Sequence, residues 1–264
     1  HTCIVLPAWY YVLFRGDAPQ THLMSPRLLR SMFHPPDRVV DLTNPIDPGM
    51  PVWPTFPQVE LRQTGWAARD GATMERVEMR SHTATHVDAP LHFIPEGKTV
   101  TDYPLSKFMA EGVVLDLTPK SPGEAITADD LAPYDEEIRS ADAVMLHTDW
   151  DEYYGRTPEY LFEFPYLTGD AASYLADRDL DAVGTEALSV AGWTDTVPNH
   201  GPTTEVPPAA SHRPLLERDT LPIEELRNLD RVLDGADTRR AYFMYPPLRL
   251  RGAGGASVRA FAML

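Results

Sequence analysis

The segment 81–93, with the sequence SHTATHVDAPLHF, concentrates side chains that can bind a metal ion. It places His82, His86, Asp88 and His92 within eleven residues, although only 9 of the 264 residues are histidines. Imidazole nitrogens suit zinc, manganese or iron, and a carboxylate can bridge two ions. Burying these groups without partners would leave unsatisfied polar atoms, which is costly in free energy. The cluster therefore predicts a divalent metal site.

The spacing of these residues indicates an extended or looping chain instead of a helix. His82 and His86 are four residues apart, as in the helical zinc-protease motif, but that motif also carries a glutamate beside the first histidine. Pro90 and the neighbouring β-branched residues disfavour a helix here. In an extended chain, the even offsets between His86, Asp88 and His92 place all three on one side.

A second pair of possible ligands, His212 and Glu224, lies twelve residues apart in the sequence SHRPLLERDTLPIEELRNL. Cys3 is the only cysteine of the chain, so a metal ion would have to be bound by nitrogen and oxygen ligands. Sites of this kind often need residues from distant segments to complete them. The alternative is a surface helix over 222–228, in which Glu224 and Glu225 are solvated.

The elements that must position these residues alternate along the chain. Strands are predicted from Val39 to Asn44 and over 74–80, 112–117, 142–147, 181–185 and 241–245, and helices over 127–139, 168–178 and 222–228. Thr127 and Thr168 are suited to cap their helices. Strands interleaved with helices predict an α/β fold. We expect an N-terminal extension over 1–38, followed by a single domain over 39–264.

Two loops are predicted to shape a substrate pocket. The segment 47–57 carries four prolines, which exclude a helix or central strand, and presents Trp53 and Phe56. The segment 192–210 is rich in proline and glycine and directly precedes the second pair of ligands, so we expect it at the mouth of the pocket. Within it, His200 is expected to be an exposed loop residue. His147 follows a predicted strand, and its place could be the pocket or the core.

Charge and composition exclude several classes of partner. The formal net charge of −16 disfavours nucleic acids and anionic membrane surfaces. The chain has neither an apolar run long enough to span a bilayer nor a glycine-rich phosphate loop. The lone cysteine fits a reducing compartment, so we expect a cytoplasmic protein that acts on a small molecule.

The metal-binding segment carries a pattern that is known from one protein family. The motif His82-x-x-Thr85-His86-x-Asp88-x-Pro90-x-His92 resembles the signature H-x-G-T-H-x-D-x-P-x-H of the metal-dependent cyclase family, which includes bacterial kynurenine formamidase and isatin hydrolase. The likeness continues along most of the chain from residue 39. Ala84 stands in place of the usual glycine, and Glu186 in place of an aspartate. Neither departure removes a metal ligand.

This resemblance implies a specific ligand set and fold. His82, His86 and Asp88 would bind a first ion, and Asp88 would bridge to a second ion that His212 and Glu224 help to hold. The residues suit Zn²⁺ or Mn²⁺, as one or two ions. The resemblance also implies a swivelling β/β/α fold and a homodimer or homotetramer.

The resemblance further implies that His92 is the general acid and base and that Trp53 lines the substrate pocket. A histidine with a pKa near 6.5 can take a proton from water and pass it to a leaving nitrogen. Phe56 and Phe93 would extend a flat apolar wall for an aromatic substrate. We therefore expect a metal-dependent amidohydrolase that uses metal-activated water to cleave a linear or cyclic C–N amide bond.

Two other functions stay open from the sequence. A cyclase or lyase acting on a keto or polyketide-like substrate would use the same metal to stabilise an enolate. A metal-binding protein without catalysis would have a purely structural histidine cluster and no turnover.

Overall fold

The computed structural model describes residues 36–264, and Asp37–Leu264 forms one compact unit. The N-terminal extension predicted over 1–38 lies outside the described residues except for its last three, so that prediction stays open. The strands are β1 (Val39–Asp41), β2 (Glu60–Gly65), β3 (Met74–Glu78), β4 (His86–Asp88), β5 (Met109–Asp116), β6 (Ala125–Ile126), β7 (Ala143–His147), β8 (Tyr166–Leu167), β9 (Ala182–Thr185), β10 (Leu221–Glu224), β11 (Thr238–Met244), β12 (Gly255–Ser257) and β13 (Phe261–Met263). The α-helices are α1 (Ala67–Asp70), α2 (Ala128–Leu131), α3 (Asp135–Arg139), α4 (Pro158–Phe162), α5 (Gly169–Ala176), α6 (Pro208–Leu216) and α7 (Leu229–Leu233).

A nine-stranded mixed sheet forms the centre of the fold, in the order β1-β13-β11-β5-β7-β9-β10-β4-β12. Strands β5, β7, β9 and β10 are mutually parallel, and the strands on either side of them pair antiparallel. Every residue of β7 and β9 is buried, which explains why their sequences are continuous apolar runs. The predicted α/β class is confirmed.

Side chains of β5 point alternately into two apolar layers on opposite faces of the sheet. Val113 and Leu115 pack with α2, α3 and α5, whereas Val114 packs with α7. The helix starts predicted at Thr127 and Thr168 are confirmed, since each side-chain oxygen accepts a hydrogen bond from a backbone N–H in the first turn. These layers fix the central strands on which the site is built.

Two of the predicted helices differ from the structure. The helix over 127–139 is divided into α2, a 3₁₀ turn at Ala132–Tyr134 and α3, because Pro133 interrupts the backbone hydrogen bonds. The prediction of a helix over 222–228 is wrong, since Leu221–Glu224 is the buried strand β10. Glu225 and Asn228 follow it with φ angles of 57° and 59°, which lie outside the helical region.

Within residues 36–264, no helix combines the length and the apolar character needed to cross a bilayer.

Candidate metal centre

Strand β4 carries two of the predicted ligands, His86 and Asp88, and lies between β10 and β12. Alternate residues of a strand share a face, so both side chains point to the same side of the sheet. The antiparallel register with β10 places Glu224 opposite His86, and the register with β12 places Gly255 opposite Asp88. The sheet itself therefore brings the two distant sequence segments together.

In its neutral form, His86 is held in an orientation that leaves one ring nitrogen free of hydrogens. Its Nδ1 lies 2.8 Å from the carbonyl oxygen of Ala84, which can only accept a hydrogen bond, so Nδ1 is the protonated nitrogen of a neutral ring. Ala84 takes the left-handed conformation, with φ of 57°, at the position where the motif that this segment resembles has glycine. Nε2 of His86 then presents its lone pair 3.3 Å from Glu224 Oε2 and 3.4 Å from Asp88 Oδ1.

His212 repeats this arrangement from helix α6. Its Nδ1 donates to the carbonyl of Pro208 at 2.9 Å, and its Nε2 lies 3.2 Å from Glu224 Oε1 and 3.6 Å from Asp88 Oδ2. The sequence had not predicted this helix, because Pro208 and Pro214 obscure the helical pattern. Pro208 is tolerated in the first turn, where its missing N–H would have had no helical partner.

These residues fit a divalent metal ion. In the neutral state, two imidazole lone pairs face two carboxylates, an arrangement that is repulsive unless a positive charge lies among them. Nε2 of His86 and Oδ2 of Asp88 are fully buried and form no hydrogen bond within residues 36–264. Asp88 belongs to both groups of potential ligand atoms lying within 4.8 Å of one another, His82–Asp88–His92 and His86–Asp88–Glu224. A shared carboxylate of this kind is suited to bridge two ions.

The shifted pKa values of the cluster also indicate an excess of negative charge among these residues. Burial opposes protonation of His86, but Asp88 and Glu224 outweigh it and raise its pKa well above the usual value. Burial and Asp88 raise the pKa of Glu224, yet the neighbouring rings of His212 and His86 prevail and lower it to about 2. The cluster therefore favours a positive charge at its centre, which a proton or a metal ion can supply.

Glu224 is oriented by residues that the sequence did not single out. Its Oε1 accepts hydrogen bonds from Ser189 Oγ at 2.9 Å and from the backbone N–H of Val190 at 2.8 Å. Groups of this kind fix the direction of a ligand and tune its affinity. No signal in the sequence near Ser189 marked it, because the contact depends on the pairing of β9 with β10.

His82 and His92 stack on each other beside Asp88, with ring centroids 3.8 Å apart. Nδ1 of His82 lies 2.6 Å from Asp88 Oδ1, whereas Nε2 of His92 lies 3.9 Å from Asp88 Oδ2. The His92 side chain is 30% exposed and so can reach a bound molecule. Burial lowers the pKa of His92 to about 4, against the opposing effect of Asp88, so its ring is neutral at pH 7.

Gly254 and Gly255 allow β12 to approach these two histidines closely. A Cβ atom on Gly255 would lie 2.8 Å from Nδ1 of His82, and one on Gly254 would lie 2.9 Å from the backbone nitrogen of His92. Both separations are too short for a side chain. The sequence carries no signal for this pair, since adjacent glycines are common in loops and their neighbours, His82 and His92, lie far away in the chain.

A cavity of about 260 Å³ opens onto the cluster. Its wall includes the three aromatic residues predicted to bind substrate, Trp53, Phe56 and Phe93. Trp53 packs against Trp193, with ring centroids 5.2 Å apart, and Phe93 stacks on the His212 ring at 4.2 Å. The predicted site residues thus line one cavity, except for Asp88, which is buried beside the histidines that do. Their chemical roles stay predictions.

His200 and His147 lie away from this cavity. His200 is a loop residue, as expected, but its side chain is only 20% exposed, because it stacks on Phe162. Its Nδ1 donates to the carbonyl of Gly201. His147 is buried at the end of β7, where Nδ1 lies 3.0 Å from Glu186 Oε1 and Nε2 lies 3.1 Å from Asp149 Oδ1. Of the two alternatives for His147, the core is the correct one.

The His147–Glu186 pair predicts a loss of stability at alkaline pH. Burial alone would lower the pKa of His147, but Glu186 and Asp149 outweigh it and raise the value to about 9. Because this is above the value near 6.5 for an unfolded chain, the stabilisation is full below pH 6.5 and is lost as the pH rises towards 9. Burial raises the pKa of Glu186, which offsets part of the effect.

We expect the free energy of unfolding to fall by on the order of 1–3 kcal/mol across this window. Urea unfolding at pH 6.5 and pH 9, with metal saturating, measures it. His147→Gln should flatten the dependence, and His200→Gln is the matched control that should not. Equal slopes in the wild type and His147→Gln would contradict this role of the pair.

Comparison with known proteins places the chain among metal-dependent hydrolases. Residues 40–191 match the family model described as "Putative cyclase". A kynurenine formamidase of Bacillus cereus is 26% identical over 223 residues, which are 84% of this chain and 95% of the relative. Isatin hydrolase A of Labrenzia aggregata, solved with benzyl benzoate, is 26% identical with a TM-score of 0.69 and covers 86% of this chain and 93% of its own. A structure described as a predicted metal-dependent hydrolase from Bacillus stearothermophilus is 31% identical, with a TM-score of 0.64 and coverage of 85% and 97%.

Proposed function

Because the chain belongs to the cyclase family, we propose that it is a metal-dependent hydrolase that cleaves the C–N amide bond, linear or cyclic, of a small aromatic substrate. The observation that carries this proposal is the cavity in which Trp53 and Phe56 face the histidine and carboxylate cluster. Relatives named for hydrolysis of aromatic amides, a formamidase and an isatin hydrolase, support the same chemistry.

The side chains proposed to bind the metal are oriented by the protein itself, before any substrate binds. His82, His86 and Asp88 would hold a first ion, with Asp88 shared by a second that His212 and Glu224 complete. An ion held by these residues would supply Lewis acidity, which would polarise a carbonyl oxygen and lower the pKa of water from about 15.7 to near 7. Backbone carbonyls orient His86 and His212, so these rings need no rearrangement to act as ligands.

His92 is the group that moves protons in this proposal. Its neutral imidazole can accept a proton from the attacking water and then donate it to the nitrogen of the leaving group. The departing amine requires that proton, because an amide anion is a very poor leaving group. The exposure of His92 and its distance from Asp88 suit a mobile, proton-transferring role better than a buried ligand position.

The aromatic wall selects the substrate by shape. Trp53 is fixed by its contacts with Trp193 and Phe164, so its ring presents a rigid apolar face to the cavity. A planar aryl group can stack on that face while its amide carbonyl reaches the metal-binding residues. Leu188 adds aliphatic surface to the same wall.

The metal is proposed to be Zn²⁺ or Mn²⁺. Four imidazoles and two carboxylates surround the centre, a set that suits Zn²⁺ and also Mn²⁺. One or two ions fit, because Asp88 belongs to both groups of ligand atoms. Elemental analysis of the purified protein decides between these metals and their stoichiometry.

An assay on N-formylkynurenine and isatin tests the function. The metal-loaded protein should release formate from the first substrate or open the ring of the second, and chelation should abolish this activity until Zn²⁺ or Mn²⁺ is restored. Full activity in the metal-free protein would contradict the proposal, and so would inactivity of the loaded protein on both these and related aryl amides.

We also propose that the chain forms a homodimer or homotetramer, which light scattering tests. The hairpin of β2 and β3 supports self-association, because it exposes apolar side chains: Leu61 and Val77 lie opposite each other and are 42% and 53% exposed.

A further inference from the structure

Glu225 is a carboxyl group of the cavity that the proposed mechanism does not use. It directly follows Glu224 at the end of β10, is only 3% exposed, and contributes to the cavity wall. Its Oε2 is fully buried and has no hydrogen-bonding partner within residues 36–264. The alternative raised from the sequence, a solvated position on a surface helix, is therefore wrong for this residue.

The backbone of Glu225 is fixed on both sides. Its N–H donates to the carbonyl of Ala187 at 2.9 Å. Its own carbonyl accepts from Thr85 Oγ1 at 2.6 Å and from Asn44 Nδ2 at 2.8 Å. Thr85 belongs to the metal-binding motif, so the direction of the Glu225 side chain is tied to the ligands on β4.

Two features of this position disfavour glutamate. A φ of 57° lies in the left-handed region, where glycine and asparagine are far better tolerated. A buried carboxyl without a hydrogen-bonding partner also destabilises the folded chain. Residues that are retained in spite of such costs cluster at functional sites. The position therefore indicates that the side chain has a partner other than the folded protein.

The neighbouring protein groups do not supply that partner. The hydroxyl groups of Tyr154 and Tyr160 are buried nearby, and burial together with the charge of Glu225 raises their pKa values. Both hydroxyls nevertheless form no hydrogen bond to Glu225 or to any other described residue. Since Glu225 lines the cavity, a bound molecule can supply a hydrogen-bond donor to its carboxyl.

We propose that Glu225 is a specificity-determining residue whose carboxyl accepts a hydrogen bond from an N–H group of the substrate. Either protonation state of the carboxyl offers an accepting oxygen. The residue would favour aromatic amides that carry an N–H over their N-alkylated analogues. This inference rests on the proposed function.

Isatin and N-methylisatin form the substrate pair that tests it, since they differ only in the N–H. The wild type should prefer isatin by about tenfold or more in kcat/KM, as expected for a site built around one hydrogen bond. Glu225→Gln keeps an accepting oxygen and should retain most of this preference. Glu225→Met keeps the volume without a strong acceptor and should reduce the preference to less than about threefold.

Glu225→Gly protects the test against misfolding of the methionine variant. Glycine suits the φ of this position, so the melting temperature should not fall, while the preference for isatin should be lost as in Glu225→Met. Phe56→Leu is the control from the same cavity, and it should lower the rates on both substrates by the same factor.

The outcomes separate this inference from the proposed function. Hydrolysis of neither isatin nor any other aryl amide by the wild type would overturn the proposed function. Hydrolysis by the wild type with an unchanged preference in Glu225→Met and Glu225→Gly would overturn the role of Glu225 alone.

Discussion

Asp88→Asn is expected to lose its bound metal and its activity together. Asp88 is completely buried, and its oxygens lie near the ring nitrogens of His82, His86 and His212. Asparagine has almost the same shape but carries no negative charge and replaces one accepting oxygen with a donor. We expect metal affinity to fall at least about 100-fold and kcat/KM to fall at least about 1,000-fold.

Elemental analysis after gel filtration, together with isothermal titration of metal into the chelated protein, measures this loss. Asp177→Asn is the matched control, since the side chain of Asp177 is 64% exposed and far from the cluster in sequence. A full complement of tightly bound metal in Asp88→Asn would show that this carboxylate is not a ligand.

His92→Ala is expected to separate catalysis from metal binding. If His92 transfers protons and does not hold the ion, the variant should retain its metal while kcat falls by about 10²–10⁴-fold, the usual contribution of a general acid or base. The melting temperature should change little, because the side chain is partly exposed.

His82→Ala is the variant with which His92→Ala should be compared. His82 stacks on His92 and is hydrogen-bonded to Asp88, so removal of the His82 ring should weaken metal binding as well as activity. Parallel loss of metal in both alanine variants would contradict the division of roles and make His92 a ligand.

The local half of the site could be predicted because its residues are close in sequence. His86 and Asp88 share one face of a short strand, and the even spacing of the motif already indicates this. The central strands were equally predictable, since a parallel strand buried on both faces is a continuous apolar run. In these segments, sequence neighbours and spatial neighbours are the same residues.

The other half of the site depends on pairing that no local pattern encodes. The segment around Glu224 resembles a polar helix, and only its position between β9 and β4 makes it a buried strand. Gly255 is required because the His82 ring lies against it, a contact created by the pairing of β12 with β4. Glu225 was missed for the same reason. The N-terminal extension over 1–38, the oligomeric state and the cytoplasmic location stay predictions.

The register of β4 has a consequence for the order in which the protein is made. Both neighbours of β4 in the sheet come from much later in the chain, at Leu221–Glu224 and Gly255–Ser257. On the ribosome, the motif 82–92 therefore emerges long before the strands that complete its surroundings. Metal binding by the complete site has to wait until β10 and β12 have been synthesised, so a bound ion would connect segments that are made early with segments that are made late.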